Sequence, residues 1–281
     1  MKLGVDNKKG IIRNITSWRG PDDPWPGDYT FALVPGGLPE FFLFDKSTRI
    51  YTSGPWNGEM LTGVPQLKSQ EASGGFTFTV FSSREETYYI YSISDPSSRA
   101  RLVVDGTKKL QRFWFRDGSW QSGNSYPTDQ CDNYALCGPF GYCVDTVDQS
   151  RRCSCLPGFT ALWQQGQQPF DPSWSKGCAR TTNLTCGAGD GFWRVNKLKL
   201  PEATNATVYP GITLDQCRKQ CLGNCRCRAY AAANVSGGAS PGCVIWTVDL
   251  LDMRENSDVE QDLYIRLAQS EIDSLEAPGE D

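Results

Sequence analysis

All twelve cysteines of this 281-residue chain lie between Cys131 and Cys243, and the flanking parts contain none. Cysteines this dense are typical of small modules that disulfides hold together in an oxidising compartment. Zinc binding is the alternative, but zinc sites use Cys-x2-Cys pairs, often with histidine, and the chain has no histidine. Its closest cysteines, Cys153 with Cys155 and Cys225 with Cys227, are one residue too close for that pattern. The even number therefore predicts six disulfides and no metal site.

Charge and hydropathy exclude further classes. With 28 basic and 32 acidic residues the formal net charge is −4, which argues against nucleic acid as a partner. No apolar run approaches the ~18 residues of a membrane-spanning helix, so no membrane span is expected in this chain. The first nine residues lack the apolar core of a signal peptide. Because disulfides imply secretion, we expect a fragment of an extracellular, secreted or cell-surface protein.

Four Asn-x-Ser/Thr sequons agree with secretion, because this triplet is the acceptor for N-glycosylation. The predicted N-glycosylation sites are Asn14, Asn183, Asn205 and Asn234.

The part of the chain before the first cysteine predicts antiparallel β-structure. Residues 76–80 alternate apolar and polar side chains with a period of two, which is typical of a half-buried strand. Asp105-Gly106-Thr107 predicts a hairpin between strands at 101–104 and 110–115. Further strands are expected at 40–44, 49–51 and 87–91, joined by turns. The proline-rich segment 20–28 predicts a loop, since proline donates no backbone hydrogen bond.

The last cysteine group contains a predicted helix. Thr213 and Gln216 form a Thr-x-x-Gln capping box at its start, and Gly223 marks its end. Cys217 and Cys221 are one turn apart and share a face with Leu214, so both can anchor the helix to a neighbouring element. Strands at 242–246 and 262–267 are expected to form the sheet on which this helix packs.

The middle cysteines have the spacing Cys131-x5-Cys137-x5-Cys143-x9-Cys153-x-Cys155-x22-Cys178, with Pro157-Gly158-Phe159 after the fifth. Spacing alone leaves fifteen pairings open. The single residue between the fourth and fifth cysteines and the turn after them resemble the EGF-like module. That resemblance implies the pairs Cys131–Cys143, Cys137–Cys153 and Cys155–Cys178. Some modules of this type bind calcium through acidic residues before the first cysteine, but only Asp129-Gln130 stands there, so no calcium site is expected.

The cluster Cys217-x3-Cys221-x3-Cys225-x-Cys227, with Ala229-Tyr230-Ala231 and Gly242-Cys243-Val244-Ile245-Trp246 after it, resembles the PAN/apple-like module of plant S-domain proteins. Thr16-Ser17-Trp18-Arg19 and Ser53-Gly54-Pro55-Trp56-Asn57-Gly58 resemble motifs of the S-locus glycoprotein domain. The PAN resemblance implies the pairs Cys217–Cys243 and Cys221–Cys227, and the two cysteines that remain, Cys186 and Cys225, are then the third pair.

The resemblance implies a mainly β fold in three modules. We expect an antiparallel β S-locus glycoprotein domain at 1–127 (the N-terminal module) and a small disulfide-rich EGF-like module at 128–180 (the middle module). An α+β PAN/apple-like module with one helix on a β-sheet follows at 181–268 (the C-terminal module), and 269–281 is an acidic tail. Full-length relatives are S-domain receptor-like serine/threonine kinases and soluble S-locus glycoproteins. The lectin, transmembrane and kinase parts of such proteins are absent from this sequence.

Catalysis is not expected. Without histidine a Ser-His-Asp arrangement is impossible, and the Gly-rich, His-Arg-Asp and Asp-Phe-Gly kinase motifs are missing. The resemblance implies a recognition ectodomain without a cofactor. Such an ectodomain would bind a secreted peptide or protein ligand, in pollen recognition (self-incompatibility) or defence signalling, and would form homo- or heterodimers with receptor kinases. The alternatives are a carbohydrate-binding secreted glycoprotein, with a glycan as partner, and a gene remnant without function.

Two surfaces are candidates for ligand contact. We expect the strand surface between Pro39 and Trp56 to meet the ligand. Among the tryptophans, Trp163 and Trp174 in the loop between Cys155 and Cys178 are the best candidates for exposure, although local packing is favoured there too. Trp18, Trp56 and Trp246 lie in structural motifs, where we expect a packing role.

Overall fold

The computed structural model describes residues 2–65, 76–93, 97–144, 152–163, 172–233, 242–256, 258–259 and 261–277. Short strands dominate this part of the chain, which also contains two α-helices and two 3-10 helices. None of the described helices is long and apolar enough to cross a membrane. The predicted mainly β fold, with antiparallel sheets, six disulfides and one helix packed on a sheet, is confirmed.

The N-terminal module consists of three antiparallel sheets around one core. The sheet orders are β2-β1-β8-β7, β3-β4-β5-β6 and β11-β10-β9. The strands are β1 Lys2–Asp6, β2 Ile11–Arg13, β3 Ile15–Gly20, β4 Asp23–Val34, β5 Glu40–Asp45, β6 Thr48–Thr52, β7 Phe76–Ser82, β8 Glu86–Ile93, β9 Arg99–Val104, β10 Leu110–Arg116 and β11 Ser119–Tyr126.

Aromatic side chains fill the space between these sheets. In β7 the alternation is as predicted, because Phe78 and Val80 are buried while Thr77 and Thr79 are exposed. The ring of Phe41 stacks on Phe31 at 5.4 Å and meets the edge of Tyr89 at 5.9 Å. Offset and edge-to-face contacts of this kind add to the stabilisation from burial alone. The module therefore has an apolar core of its own and no disulfide.

The prediction of a loop at 20–28 is wrong. Strands β3 and β4 form a hairpin whose register pairs Gly20 with Asp23, so only two residues make the turn. Pro24 and Pro26 both lie within β4. The strand accepts them because the ladder is interrupted there, with register shifts on both sides of Trp18. A proline can occupy a strand where no backbone hydrogen bond is required of it.

The middle module is small and has little apolar core besides its cysteines. Its strands pair as two short ladders, and two 3-10 helices, Gln130–Asp132 and Pro172–Lys176, complete it. The strands are β12 Gly141–Cys143, β13 Cys153–Cys155, β14 Phe159–Ala161 and β15 Cys178–Arg180.

The C-terminal module is a five-stranded antiparallel sheet in the order β16-β22-β19-β20-β18, with helix α1 in contact with β19 and β20. The predicted capping box is present: Gln216 N donates to Thr213 Oγ1 at 3.3 Å, and Thr213 N donates to Gln216 Oε1 at 2.8 Å. The elements are β16 Asp190–Val195, β17 Leu198–Lys199, β18 Thr207–Pro210, α1 Leu214–Leu222, β19 Ala229–Ala232, β20 Gly242–Trp246, β21 Met253–Glu255, β22 Leu263–Ala268 and α2 Gln269–Glu276.

The first part of the predicted acidic tail is a helix, α2, which packs on β16 and β22. Ile272 is buried beneath it against Gly191, where a Cβ atom would come within 2.6 Å of the Ile272 side chain. Glu271 accepts a hydrogen bond from the Thr182 hydroxyl at 2.6 Å. Among the described residues of this segment Ile272 is the one that is buried, and the acidic composition around it concealed this from the sequence prediction. Residues 278–281 lie outside the described part.

Candidate functional site

Six disulfides staple the middle and C-terminal modules, and none of the twelve cysteines is free. Each disulfide joins the two cysteines that the family resemblance implies as a pair. Their Cα–Cα distances of 5.2 to 6.0 Å lie within the usual range for disulfides. The pairs are Cys131–Cys143, Cys137–Cys153, Cys155–Cys178, Cys186–Cys225, Cys217–Cys243 and Cys221–Cys227.

A buried arginine holds the end of helix α1. Arg266 in β22 is fully buried, and its guanidinium forms an ion pair with Asp190 at 2.9 Å. It also donates to the carbonyl oxygens of Cys221 at 3.1 Å, Leu222 at 3.3 Å and Asn224 at 2.8 Å. The last carbonyls of a helix have no partner within the helix and carry the negative end of its dipole. Arg266 donates hydrogen bonds to carbonyl groups at this end of the helix and thereby attaches helix α1 to the sheet. No sequence pattern predicted this role for Arg266.

The middle and C-terminal modules share a sheet, with strand order β13-β12-β21-β17. Its central pairing is parallel and sets Tyr142 opposite Met253 and Cys143 opposite Arg254. The loops beside it are also joined, because Phe140 N donates to Leu250 O at 2.8 Å. Backbone hydrogen bonds therefore continue from one module into the other.

All three modules meet at a buried ion pair, and we call this contact the junction; it consists of Thr52, Ala135, Lys199 and Asp252. Lys199 Nζ lies 2.7 Å from Asp252 Oδ2, with both side chains 3% exposed. Thr52 of the N-terminal module donates its hydroxyl to the same oxygen at 2.8 Å, and its carbonyl accepts from Lys199 at 3.3 Å. Ala135 N of the middle module donates to Asp252 Oδ1 at 2.9 Å. Each charge thus has hydrogen-bond partners as well as its counter-ion, as a buried pair requires.

Two further ionic contacts flank the junction. Glu202 accepts from Arg49 of the N-terminal module and from the Tyr134 hydroxyl of the middle module. Burial and the bond to Glu202 raise the pKa of Tyr134 well above its usual range.

On the other side of the junction, Arg254 donates to Asp129 Oδ2 at 2.6 Å and to Asp132 Oδ1 at 2.9 Å. Asp129 is the residue ahead of the first cysteine that a calcium site would need, and its carboxylate is neutralised by this arginine.

The backbones of the N-terminal and C-terminal modules approach each other closely at Gly37. Its φ is +39°, and a Cβ atom there would lie 1.7 Å from the carbonyl oxygen of Ala203. Only glycine fits so near another backbone at positive φ.

The carboxyl of Glu40 is also buried at this interface. It is fully buried, Oε2 accepts from Ala203 N at 3.1 Å, and Oε1 has no hydrogen-bond partner. Burial raises the pKa of Glu40 from 4.5 to about 8. The hydrogen bond from the Ala203 amide and the charge of Lys199 lower this pKa, but by less than burial raises it. The side chain is therefore protonated at neutral pH, which lowers the cost of burying it.

Most of the surface between Pro39 and Trp56, the expected ligand contact, is not open to a ligand, and only residues 46–48 of it are exposed. Residues 39–43 and 51–56 are buried, and their polar groups face the junction rather than solvent. Trp56 and Trp246 have the packing role expected of them, and Trp174 is buried too. Trp163 is half-buried against the core of the C-terminal module.

Trp18 was expected to pack, but it is 59% exposed and Trp25 is 67% exposed. Both lie at the end of the β3–β4 hairpin, which we call the tryptophan arm, residues 18–26. Across the hairpin Trp18 faces Pro26, and the Arg19 guanidinium lies 5.9 Å from the Trp25 ring centre. Large exposed rings in one place are uncommon on a protein surface and often mark a contact site.

Asn14, Asn183 and Asn205 are exposed, so a glycan on any of them would extend into solvent. Asn234 lies outside the described residues. Among the side chains that the structure describes, no group of three His, Cys, Asp or Glu could hold a metal ion. The fold and these sites define a disulfide-stapled β protein in which three modules are joined through a buried polar network.

Comparison with known proteins identifies the families to which this β protein is similar. The family model of the S-locus glycoprotein domain matches residues 51–162, and the model of the PAN-like domain matches residues 186–253. The chain is 41% identical over 281 residues to the receptor-like serine/threonine-protein kinase SD1-8 of Arabidopsis thaliana, with 97% of this chain and 31% of the relative covered. It is 39% identical over 275 residues to the S-locus-specific glycoprotein S6 of Brassica oleracea, with 97% and 61% covered.

A third relative, the putative inactive G-type lectin S-receptor-like serine/threonine-protein kinase SRK of Arabidopsis thaliana, is 36% identical, with 97% of this chain and 48% of the relative covered. The chain thus spans about a third of the kinase SD1-8 and about three fifths of the S6 glycoprotein. It contains S-locus glycoprotein and PAN-like domains, and its homologues over most of its length are S-locus glycoproteins and receptor-like kinases of plants.

Proposed function

We propose that this chain is a non-catalytic extracellular recognition ectodomain that binds a secreted peptide or protein ligand. Its homology over almost its whole length to S-locus glycoproteins and to S-domain receptor kinases is the observation that carries this proposal. Six disulfides and three exposed sequon asparagines fit an extracellular or cell-surface location. Pollen recognition and defence signalling are the roles that the family suggests, and dimerisation with receptor kinases is the step by which binding would reach the cell.

The modules in this proposal keep the ranges expected from the sequence, 1–127, 128–180 and 181–268. N-glycans are proposed on Asn14, Asn183, Asn205 and Asn234.

We assign the ligand contact to the tryptophan arm. Tryptophan supplies much apolar area for little loss of side-chain entropy, and it is enriched among the residues that dominate binding energy. The arm projects from the sheet at a tight two-residue turn, so a partner can reach both rings. Arg19 and Asp23 form an exposed ion pair beside Trp25 at 3.5 Å and supply a polar rim.

Affinity capture tests the assignment. The chain, secreted from plant cells, is immobilised and exposed to the secreted-protein fraction of floral and leaf tissue, and retained peptides are identified by mass spectrometry. We expect one or a few peptides to bind the wild-type chain and to be lost with Trp18→Ala/Trp25→Ala. Phe81→Ala is the matched control, because the Phe81 ring is 44% exposed on a different sheet. Retention by the arm variant, or loss with the control as well, would remove the arm from the proposal.

Dimerisation has a separate measurement. Light scattering after size-exclusion chromatography compares the mass of the chain with and without a captured peptide. A doubled mass on peptide addition supports receptor-type dimerisation, and an unchanged mass at saturating peptide argues against it.

A further inference from the structure

The sheet formed by β9, β10 and β11 carries a local excess of positive charge. Its three strands contain four arginines, Arg99, Arg101, Arg112 and Arg116, and no aspartate or glutamate. The whole chain has a net charge of −4. The positive charge of this sheet is therefore opposite in sign to that of the whole chain, and a surface with such a local charge attracts partners of opposite charge.

The strand register separates the two faces of the sheet. Arg99 lies opposite Phe115, which lies opposite Trp120, and Arg101 lies opposite Phe113. Residues opposite each other on antiparallel strands share a face. Alternate positions such as Val104, Leu110 and Tyr126 belong to the core of the N-terminal module. The other face points away from that core, and we call it the Arg–aromatic face; it consists of Arg99, Arg101, Phe113, Phe115 and Trp120.

Ring contacts hold this face in order. The Arg101 guanidinium lies 4.4 Å from the Trp120 ring centre and 5.0 Å from that of Phe113. Phe115 and Trp120 meet edge-to-face at 5.4 Å. A guanidinium that stacks through its flat face keeps its N–H groups, which lie in its plane, available to a ligand.

Both arginines of the face are exposed, and neither has a carboxylate within ion-pair distance among the described residues. Arg101 is thus oriented by its ring neighbours without being neutralised. Arg99 lies two residues away on the same strand, about 7 Å along it. The face presents two cations beside open aromatic rings.

We propose that the Arg–aromatic face binds an acidic polysaccharide whose sugars carry carboxylates, that is, a uronic-acid polymer. The fork of N–H donors on each guanidinium matches a carboxylate, which is the reason for the charge of the partner. The face of an aromatic ring is electron-rich and attracts the slightly positive C–H groups of a sugar ring. Trp120, 41% exposed, offers such a ring directly beside Arg101.

The same face suits an acidic peptide less well. A peptide brings backbone N–H and C=O groups that require partners when they are desolvated. The central strand β10 is bonded on both sides, to β9 and β11, so the middle of the face has no backbone group to spare, and a peptide could pair only with the outer edge of β9 or β11. The side chains of the face donate only through guanidinium and indole N–H groups and accept through none. A polysaccharide has no amide backbone, and its hydroxyl groups can stay hydrated while it lies on a flat surface.

Isothermal titration of the secreted chain with oligogalacturonate tests this site, with the methyl-esterified oligomer and poly-glutamate as comparison ligands. The free acid should bind, and binding should weaken with added salt because surface charges are screened. Arg101→Gln and Trp120→Ala should each weaken binding by about tenfold, or ~1.4 kcal/mol, because the first removes a charge-assisted hydrogen bond and the second removes a ring contact. Arg116→Gln is the matched control, since it removes the same charge from β10 on the other face and should change affinity less than about twofold.

Three results would overturn the proposal. They are absence of binding to the free acid, equal binding of the methyl ester, and an equal loss with Arg116→Gln. Tighter binding of poly-glutamate that competes for Arg101 would assign the face to an acidic peptide instead. Circular dichroism and the thermal midpoint of each variant confirm that it is folded, and Arg99→Gln provides a second variant if Arg101→Gln is not. This site is separate from the tryptophan arm, so peptide capture by the arm does not depend on the outcome.

Discussion

Lys199 and Asp252 of the C-terminal module form an ion pair at 2.7 Å, and both side chains are buried. The other two modules of the chain both contact this pair. Thr52 reaches the pair from the N-terminal module and Ala135 from the middle module. A buried ion pair is seldom a large net source of stability, because desolvation offsets the attraction of the charges. We propose that its effect here is geometric, because Thr52 and Ala135 complete the hydrogen bonds of the pair only when the neighbouring modules are in place.

Removing one partner of this pair should be costly. Asp252→Ala leaves the Lys199 ammonium buried without its counter-ion, and we expect the free energy of unfolding to fall by ~3–5 kcal/mol. The double variant Lys199→Met/Asp252→Leu removes both charges and should lose less than Asp252→Ala alone. Urea unfolding followed by tryptophan fluorescence, with disulfides intact, measures both. Lys8→Met is the control, because Lys8 pairs with Glu85 at 3.9 Å on the surface, with 71% and 72% of the two side chains exposed, and it should match the wild type. A double variant that loses more than the single one would contradict this account of the junction.

The buried carboxyl of Glu40 predicts a dependence of stability on pH. Because burial raises its pKa to about 8 in the folded chain, folded Glu40 keeps a proton that the unfolded chain loses above pH 4.5. The free energy of unfolding should therefore fall as the pH rises from about 4.5 to about 8, with no further loss from this group at higher pH.

Glu40→Gln carries no charge to bury, so its stability should equal that of the wild type near pH 4 and exceed it at pH 9 by on the order of a few kcal/mol. Glu59→Gln, an exposed carboxyl near the same interface, is the control and should follow the wild-type curve. Parallel pH curves for Glu40→Gln and wild type would show that Glu40 is ionised in the folded chain.

Arg266 should be as important to helix α1 as the disulfides of that helix. Arg266→Met removes the donors for three carbonyl groups and leaves Asp190 buried without its cation, at an expected cost of ~3–5 kcal/mol. Hydrogen exchange should show lost protection concentrated at the end of α1 and in residues 221–227. Arg194→Met removes an exposed arginine from the neighbouring strand β16 and should leave exchange unchanged. Normal protection of α1 in the Arg266 variant would show that the disulfides hold the helix without it.

The elements that the sequence predicted are those specified by nearby residues. Thr213 and Gln216 are three residues apart, and Asp105-Gly106-Thr107 specifies its own turn, so both could be recognised locally. The junction joins Thr52 to Asp252, 200 residues further on, and neither residue has a local pattern that indicates burial. For the same reason the sequence misplaces the ligand contact on the strand surface at 39–56, because a strand that packs against a distant module has the same local pattern as an exposed strand. The prediction of a loop at 20–28 is wrong for a different reason, because register shifts in the pairing of β3 with β4 let the strand contain prolines.

The disulfide framework predicts both a chemical and a thermodynamic result. Peptide mapping of the secreted chain without reduction should recover the six pairs of the structure and no free thiol. Cys217→Ala/Cys243→Ala opens the bridge between α1 and β20, 26 residues apart, and should cost ~2–4 kcal/mol of unfolding free energy. Free thiols at most of the twelve positions in the wild type would contradict the framework.

The central claim is that the junction makes the three modules one cooperative unit, and differential scanning calorimetry tests this most directly. The wild-type chain should unfold in a single transition whose calorimetric and van't Hoff enthalpies agree. Asp252→Ala should resolve that transition into more than one, because the modules then lose their common contact. Separate transitions in the wild-type chain, at temperatures that Asp252→Ala does not change, would contradict the claim.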